Sequence, residues 1–247
     1  MAATQDAYEL AKLLAEIEYP DSDGKPMAET DFQREYLIYS VSVLDLYFQN
    51  QPNVYVSGNI LIYYEEGNSK ACLSPDVFVV KNQEKRKRRS YKVWEEGEKY
   101  PNFVLEITSK STVNEDQGSK KGLYAFWGVE EYFQYDPTAD YLKPQLKGFR
   151  LIEGNYFPIP QVPLDQPNDF SLRSEVLEID LCLKNQDLKF FEAGSGIQLL
   201  GLEETESARR AAELRAEQEA QRAEQEAQRA DRLAAKLREL GIDPEQL

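Results

Sequence analysis

The 247-residue chain contains no histidine, and that absence narrows the chemistry open to it. Without imidazole there is no Ser-His-Asp or Cys-His catalysis, no histidine proton transfer, and little scope for a zinc site. Acid–base or metal chemistry must come from carboxylates, lysines, tyrosines and bound ions. Hard oxygen ligands suit Mg²⁺ or Mn²⁺ better than zinc. Two acids stand out. Asp76 follows Ser74-Pro75 inside an apolar stretch from Ala71 to Val80, and Glu106 interrupts the run Phe103-Val104-Leu105-Glu106-Ile107. If these runs are neighbouring central strands, the two carboxylates come within ~5 Å of each other. Like charges that close are costly unless a proton or a cation lies between them. A divalent ion would satisfy both acids, polarise a phosphoryl oxygen and lower the pKa of a bound water. The plainer alternatives are a turn cap for Asp76 and a structural salt bridge between Glu106 and Lys120. An unpaired carboxylate buried at 106 would be too costly to consider.

Helices and strands must position these acids. Asp6 to Glu18 has the period of a short amphipathic helix, with Leu10, Leu13, Leu14 and Ile17 on one face. A Pro- and Gly-containing loop follows to Ala28. Thr30 and Gln33 have capping-box spacing, which predicts a helix to about Phe48 with Leu37, Val41, Leu44 and Phe48 on one side. Beyond Pro52, the β-branched and aromatic runs 54–56, 59–64, 71–80 and 103–107 predict strands, with Ser74-Pro75-Asp76 carried inside one of them. A helix over 115–127 should end at Gly128, and a strand over 132–135 should stop at Asp136-Pro137. The Glu153-Gly154-Asn155 turn predicts a hairpin, and Leu177, Ile179, Leu181 and Leu183 alternate with polar residues as in a half-exposed strand. The expected fold is α/β, a mixed central sheet with an N-terminal helix on one side and the 115–127 helix on the other.

From about Glu203 the composition changes to Ala, Glu, Gln and Arg without aromatics, and Glu-Gln-Glu-Ala-Gln-Arg-Ala occurs twice in tandem from Glu217 to Ala230. Ala216, Ala220, Ala223, Ala227, Ala230, Ala234 and Leu237 fall on alternating four- and three-residue steps, the seam of a heptad. Alanine buries little area, so a single solvated helix competes with a weak coiled coil; Gly241 should end it. Three segments are therefore expected: a helix and loop over 1–29, a domain over 30–201, and a charged helix over 202–247.

The net charge of −15 argues mildly against a nucleic-acid partner. Lys85, Arg86, Lys87, Arg88 and Arg89 form the dense basic run, either a nucleic-acid contact or a solvated loop. Cys72 and Cys182 lie in apolar surroundings as free thiols, which suits a reducing cytoplasm. No apolar run approaches the ~18 residues that span a bilayer, and no secretory signal pattern opens the chain.

Taken in order, Ser-Pro-Asp-Val at 74–77, Leu-Glu-Ile-Thr-Ser-Lys-Ser-Thr at 105–112, Lys-Lys-Gly-Leu-Tyr at 120–124, Gly-Val-Glu-Glu-Tyr at 128–132 and Asp136-Pro137 resemble the bacterial restriction endonuclease domain family, abundant in cyanobacteria, of the PD-(D/E)XK nuclease superfamily. The resemblance spans about Thr30 to Leu183. It implies Asp76 and Glu106 as metal ligands and the Ile107 carbonyl as a third. It also implies a restriction-endonuclease-like fold, Mg²⁺ or Mn²⁺ as cofactor and DNA as substrate. The sequence departs from the superfamily at the lysine, because Glu-x-Lys would place it at 108 and the chain has Thr108. Lys110 shares that strand face but sits two further rises of roughly 3.3 Å along. Lys120, at the lysine of the family's Lys-x-x-x-Tyr pattern, is the favoured replacement, with Lys121 an outsider. The lysine would position or deprotonate the attacking water, or stabilise developing phosphorane charge. Glu35 could face the site from the second helix, although a solvated face suits it as well. Tyr124 and Trp127 suit core packing better than base stacking, and Gln134 lies on the strand that follows.

Two functions remain open at this level. One is a Mg²⁺-dependent endonuclease that hydrolyses DNA phosphodiester bonds. The other is a non-cleaving binding or scaffold protein on the same fold, assembling through the nuclease domain or the C-terminal helix. A two-carboxylate glycoside hydrolase has no supporting pattern.

Overall fold

The computed structural model describes residues 12–14, 17–22, 30–109 and 112–239. Residues 12–14 are helical, and the rest of the helix expected over 6–18 lies largely outside the described residues, as does Gly241. The chain divides into two compact units, Met1–Gly201 and Leu202–Leu247.

In the first unit, helix α1 spans Asp31–Tyr47 and opens on the expected capping box: the Thr30 hydroxyl accepts from Gln33 N, and the Gln33 side chain accepts from Thr30 N. Its buried stripe agrees with the expected one in part. Leu44 and Phe48 are buried as expected, joined by Ser40 and Val43, whereas Leu37 and Val41 are half-buried and line a surface groove. The sequence period identified the helix but could not choose between adjacent stripes, because apolar residues occur on both.

The strands are β1 (Val54–Ser57), β2 (Ile62–Tyr63), β3 (Cys72–Leu73), β4 (Val77–Lys81), β5 (Tyr91–Lys92), β6 (Phe103–Ile107), β7 (Glu131–Tyr135), β8 (Leu146–Ile152), β9 (Asn155–Pro158), β10 (Val162–Pro163), β11 (Phe170–Ser174), β12 (Ile179–Lys184), β13 (Asp187–Glu192) and β14 (Gln198–Leu199). A six-stranded sheet has the order β1-β4-β6-β7-β8-β9. Its β6–β7 pair is parallel and its other pairs are antiparallel, so the central sheet is mixed. Between β6 and β7 run helices α2 (Val113–Gln117) and α3 (Ser119–Trp127). The expected single helix is thus broken at Gly118, and α3 ends on Gly128 with φ 76°, the left-handed cap that glycine adopts at no steric cost.

The two sheet faces bury different sets. One face carries Val77, Val79, Phe103, Leu105, Ile107, Phe133 and Tyr135, packed with Val43 and Leu44 of α1 and with Phe48 at its C-cap. The five-stranded antiparallel sheet β10-β11-β12-β13-β14 adds Leu172, Ile179, Leu181, Leu188 and Phe190 to that same core. The opposite face carries Phe78, Val80, Val104 and Tyr132 under Tyr124 and Trp127 of α3. Helices therefore cover opposite faces, as expected for the α/β class. The second sheet was legible only in part: β12 alternates in sequence, the alternation in β13 is short, with Leu188 and Phe190 buried between Asp187 and Lys189, and two-residue β14 is too short to show a period.

The stretch 71–80 is not one strand. Ser74-Pro75-Asp76 forms the connection between β3 and β4, where proline, with no N–H to donate, interrupts the ladder. Asp76 stands at the mouth of β4. The connection is pinned by Asn59 N donating to the Pro75 carbonyl at 2.9 Å. Gly58 permits this approach, since a Cβ there would lie 2.2 Å from the Asp76 carbonyl oxygen and 2.9 Å from Val41 Cγ2.

In the second unit, helix α4 runs over Leu202–Glu239 and is exposed along nearly its whole length. With Ala220 and Ala227 at a and Ala223 and Ala230 at d, the flanking e and g positions hold Glu217, Glu219, Glu224, Glu226 and Asp231. Two identical copies would set acid against acid in either orientation. No helix among the described residues is long and apolar enough to cross a membrane.

Two measurements follow. Gly58→Ala should lower unfolding free energy by ~1–3 kcal/mol, the range for an overpacked site, read by urea denaturation; an unchanged midpoint would mean the loop yields freely. A peptide of residues 202–239 should sediment as a monomer at low salt, and a dimer there would refute the charge argument.

Candidate functional site

β4 and β6 pair antiparallel with Val77 opposite Leu105 and Phe78 opposite Val104. Extending that register by one residue brings Asp76 opposite Glu106. The two interlock through backbone as well as side chain: Ile107 N donates to Asp76 Oδ2 at 2.7 Å, and Asp76 N points at Glu106 Oε2 at 3.4 Å. Glu106 has no solvent exposure. Its parity with Val104 directs its side chain to the α3 face of the sheet. There the Tyr124 hydroxyl donates to Glu106 Oε1. The expected packing role of Tyr124 therefore holds, with an added polar function at its tip.

Lys120 completes the cluster. Its Nζ lies 3.2 Å from Glu106 Oε2 and 2.9 Å from Asp116 Oδ1. Asp116, on α2, is almost fully buried and was not singled out in the sequence. Its spacing of four residues from Lys120 is the readable signal, because residues so spaced share a helix face. The structural Glu106–Lys120 bridge set out as an alternative is thus present. A merely structural pair needs one acid per ammonium, however, and here Lys120 meets both Glu106 and Asp116, with Asp76 interlocked beside Glu106.

The electrostatics follow from that imbalance. Burial, then the Glu106 charge, push the Asp76 carboxyl well above the usual range, with Lys120 acting in the opposite direction. Burial and the Glu106 charge raise Asp116 to about 6. For Lys120, burial alone would favour the neutral amine, but Glu106, Asp116 and Asp76 hold it above the ordinary lysine range. Burial and Glu106 likewise keep the Tyr124 phenol protonated.

Backbone oxygen enters from the other side of β6. The Ile107 carbonyl accepts from Gln33 Nε2 at 3.3 Å, so the residue that caps α1 also touches the site. In the sequence, Gln33 is legible only as a cap. Asp76, Glu106, Ile107 and Lys120 are thus brought together. Lys110 lies outside the described residues. Lys121 is directed away, its Nζ 3.5 Å from the centre of the Phe149 ring. Glu35 is exposed on α1, as its solvated reading expects. Gln134, in register with Glu106 on β7, donates to the Tyr132 hydroxyl at 3.0 Å. Thr108 is buried and its Oγ1 has no hydrogen-bond partner among the described residues.

The basic run is committed within the fold in part, with Arg86, Lys87 and Arg89 exposed. The Arg88 side chain is 1% exposed, pairs with Glu96 and lies 4.2 Å from the Tyr55 ring centre. Arg86 also pairs with Glu96, and Lys85 pairs with Asp45 on α1. Lys87 and Arg89 remain without a carboxylate partner among the described residues. Glu96 and Asp45 thus offset part of the positive charge of the run, while Lys85, Arg86, Lys87 and Arg88 line a surface groove beside α1.

The family model described as "Putative restriction endonuclease", named Uma2, matches residues 7–184. The chain belongs to the Uma2 family. That description supports a nuclease function for the Uma2 domain, and Asp76, Glu106, Ile107 and Lys120 all fall within the matched residues. Among solved structures, the chain is similar to the "Crystal structure of a putative nuclease belonging to DUF820 from Anabaena variabilis ATCC 29413". That likeness has 14% identity and a TM-score of 0.41, and covers 58% of this chain and 79% of the other. No curated protein matches the chain.

The raised Asp116 pKa carries a stability consequence. The folded protein holds this proton more tightly than the unfolded chain, so the contribution is full below the ordinary value of 3.8 and is lost as pH rises through about 6. That loss is roughly 3 kcal/mol. Urea denaturation across this window should show wild type losing stability relative to Asp116→Asn as pH rises; parallel profiles would rule Asp116 out as the source.

Proposed function

We propose that the Uma2 domain hydrolyses phosphodiester bonds of DNA with a divalent cation, Mg²⁺ or Mn²⁺, held by Asp76, Glu106 and the Ile107 carbonyl. The observation that carries this reading is the Asp76–Glu106 pair, Glu106 fully buried and Asp76 half-buried, locked across β4 and β6 with an excess of carboxylate over ammonium. The donor set fits such an ion: two carboxylates and a carbonyl are hard oxygen ligands, with the remaining positions left to water and phosphate. Among the described residues no group of three or more His, Cys, Asp or Glu side chains is arranged to hold a metal, so a site built on two acids must rely on that carbonyl and on water. When bound, the ion would supply Lewis-acid polarisation of the phosphoryl group and a more acidic water.

The chain's own residues do the positioning. Ile107 N fixes one Asp76 oxygen, and the Tyr124 hydroxyl fixes one Glu106 oxygen, so neither carboxylate is free to rotate. Gln33 fixes the Ile107 carbonyl while leaving its second lone pair available. Lys120 is held protonated by three carboxylates. That state suits it to stabilise negative charge building on the phosphate and makes it a poor base toward water. Thr108, where the superfamily pattern has lysine, offers only a hydroxyl, so Lys120 supplies the cation from the helix instead of the strand.

The competing reading is a protein that binds nucleic acid without cutting it, and it draws on Thr108 and the net charge of −15. Calorimetry with Mn²⁺ should show binding to the full chain that Asp76→Ala abolishes; binding that survives the substitution would refute the site. Nicking of supercoiled plasmid in Mg²⁺ should stop with EDTA and fall ~10²–10³-fold in Lys120→Ala, the usual cost of removing one charge-stabilising donor, while Lys110→Ala stays near wild type. Mn²⁺ binding without any nicking would select the non-cleaving reading.

A further inference from the structure

Lys120 has two carboxylate partners where one would neutralise it. Glu106 belongs to the set assigned above to the cation, whereas Asp116 makes no hydrogen bond or ion pair with either Asp76 or Glu106 among the described residues. Asp116 comes from the short helix before the Gly118 break, and its backbone carbonyl accepts from the Tyr132 hydroxyl at 2.7 Å. That bond ties α2 to β7 beneath the site, so the carboxylate is presented from a fixed frame. Its side chain is 1% exposed, and Lys120 is the one cation it pairs with among the described residues.

A cation seated against Glu106 Oε2 would stand beside the Lys120 ammonium, and like charges at that separation repel strongly in a buried site. Lys120 cannot simply turn out to water, because its side chain is only 11% exposed. Left without a partner it would be an uncompensated buried charge, which is costly. Asp116 Oδ1, already 2.9 Å from Nζ, is the acceptor that removes this conflict.

We propose that Asp116 is a positioning residue that takes sole charge of Lys120 when Glu106 turns to a divalent cation, keeping the ammonium buried, charged and beside the reacting phosphate. This inference rests on the metal reading above. Asp116 then acts through Lys120 and needs no contact with the ion. Its removal should harm ion binding only while Lys120 is present to compete for Glu106.

The test is a double-substitution cycle read by Mn²⁺ calorimetry on the full chain near neutral pH: wild type, Asp116→Asn, Lys120→Gln and the double variant. Asp116→Asn should weaken binding about tenfold in the Lys120 background and less than about threefold in the Lys120→Gln background, a coupling of the size contacting residues show. Equal losses in both backgrounds, or no loss in either, overturn the proposal while leaving the metal site standing. Absence of Mn²⁺ binding by wild type overturns the metal reading, and this inference with it. Should Asp116→Asn fail to fold, a crystal structure of wild type with Mn²⁺ decides the matter. Lys120 Nζ bonded to Asp116 and withdrawn from Glu106 supports the proposal, and Nζ still on Glu106 overturns it.

Discussion

The antiparallel pairing of β4 with β6 is the constraint on which the rest of the site depends. It sets Val77 against Leu105 in a core packed by α1, and the same register places Asp76 against Glu106 one residue further on. Hydrophobic burial thereby brings two acids together that would otherwise repel. A slip of one residue would turn every side chain of β6 to the opposite face and separate them. The stability of the sheet holds the acids against their repulsion, and the Lys120 ammonium at Glu106 offsets part of it.

Around that pair the chain places its counter-charges from the helical side. Lys120 and Tyr124 are one turn apart on α3 and reach the two oxygens of Glu106 separately, the ammonium at Oε2 and the phenol at Oε1. The break at Gly118 lets α2 approach with Asp116 from its own direction. On the other side of the sheet, Gln33 links the capping of α1 to the Ile107 carbonyl. Elements that form for local reasons, a capping box and a glycine break, thus terminate at the same few atoms.

A second group of charges has a different purpose. Glu131 is fully buried on β7 yet satisfied by Arg150, by the Ser174 hydroxyl and by Glu175 N. Glu96 is similarly closed off by Arg86, Arg88 and Gln83. These acids each meet several donors and join sheet edges and loops. Glu106 and Asp116, by contrast, share the single lysine Lys120, with Asp76 interlocked beside Glu106.

The sequence by itself narrowed the class of chemistry, through the missing histidine, and singled out Asp76, Glu106 and, with Lys110 as the alternative, Lys120. It also determined α1 with its capping box, strand 103–107, the Gly128 cap and the heptad tail, because each rests on local periodicity or on a side chain that satisfies nearby backbone. Only the tertiary structure decided which stripe of α1 is buried, that Asp76 stands in a connection and not within a strand, and that Arg88 is consumed by Glu96 and Tyr55. It alone joined Asp116 and Gln33 to the site. Those outcomes depend on pairings between residues far apart in the chain, such as Gln33 with Ile107 and Asp76 with Glu106. No local pattern encodes the burial that makes one partner preferable to another.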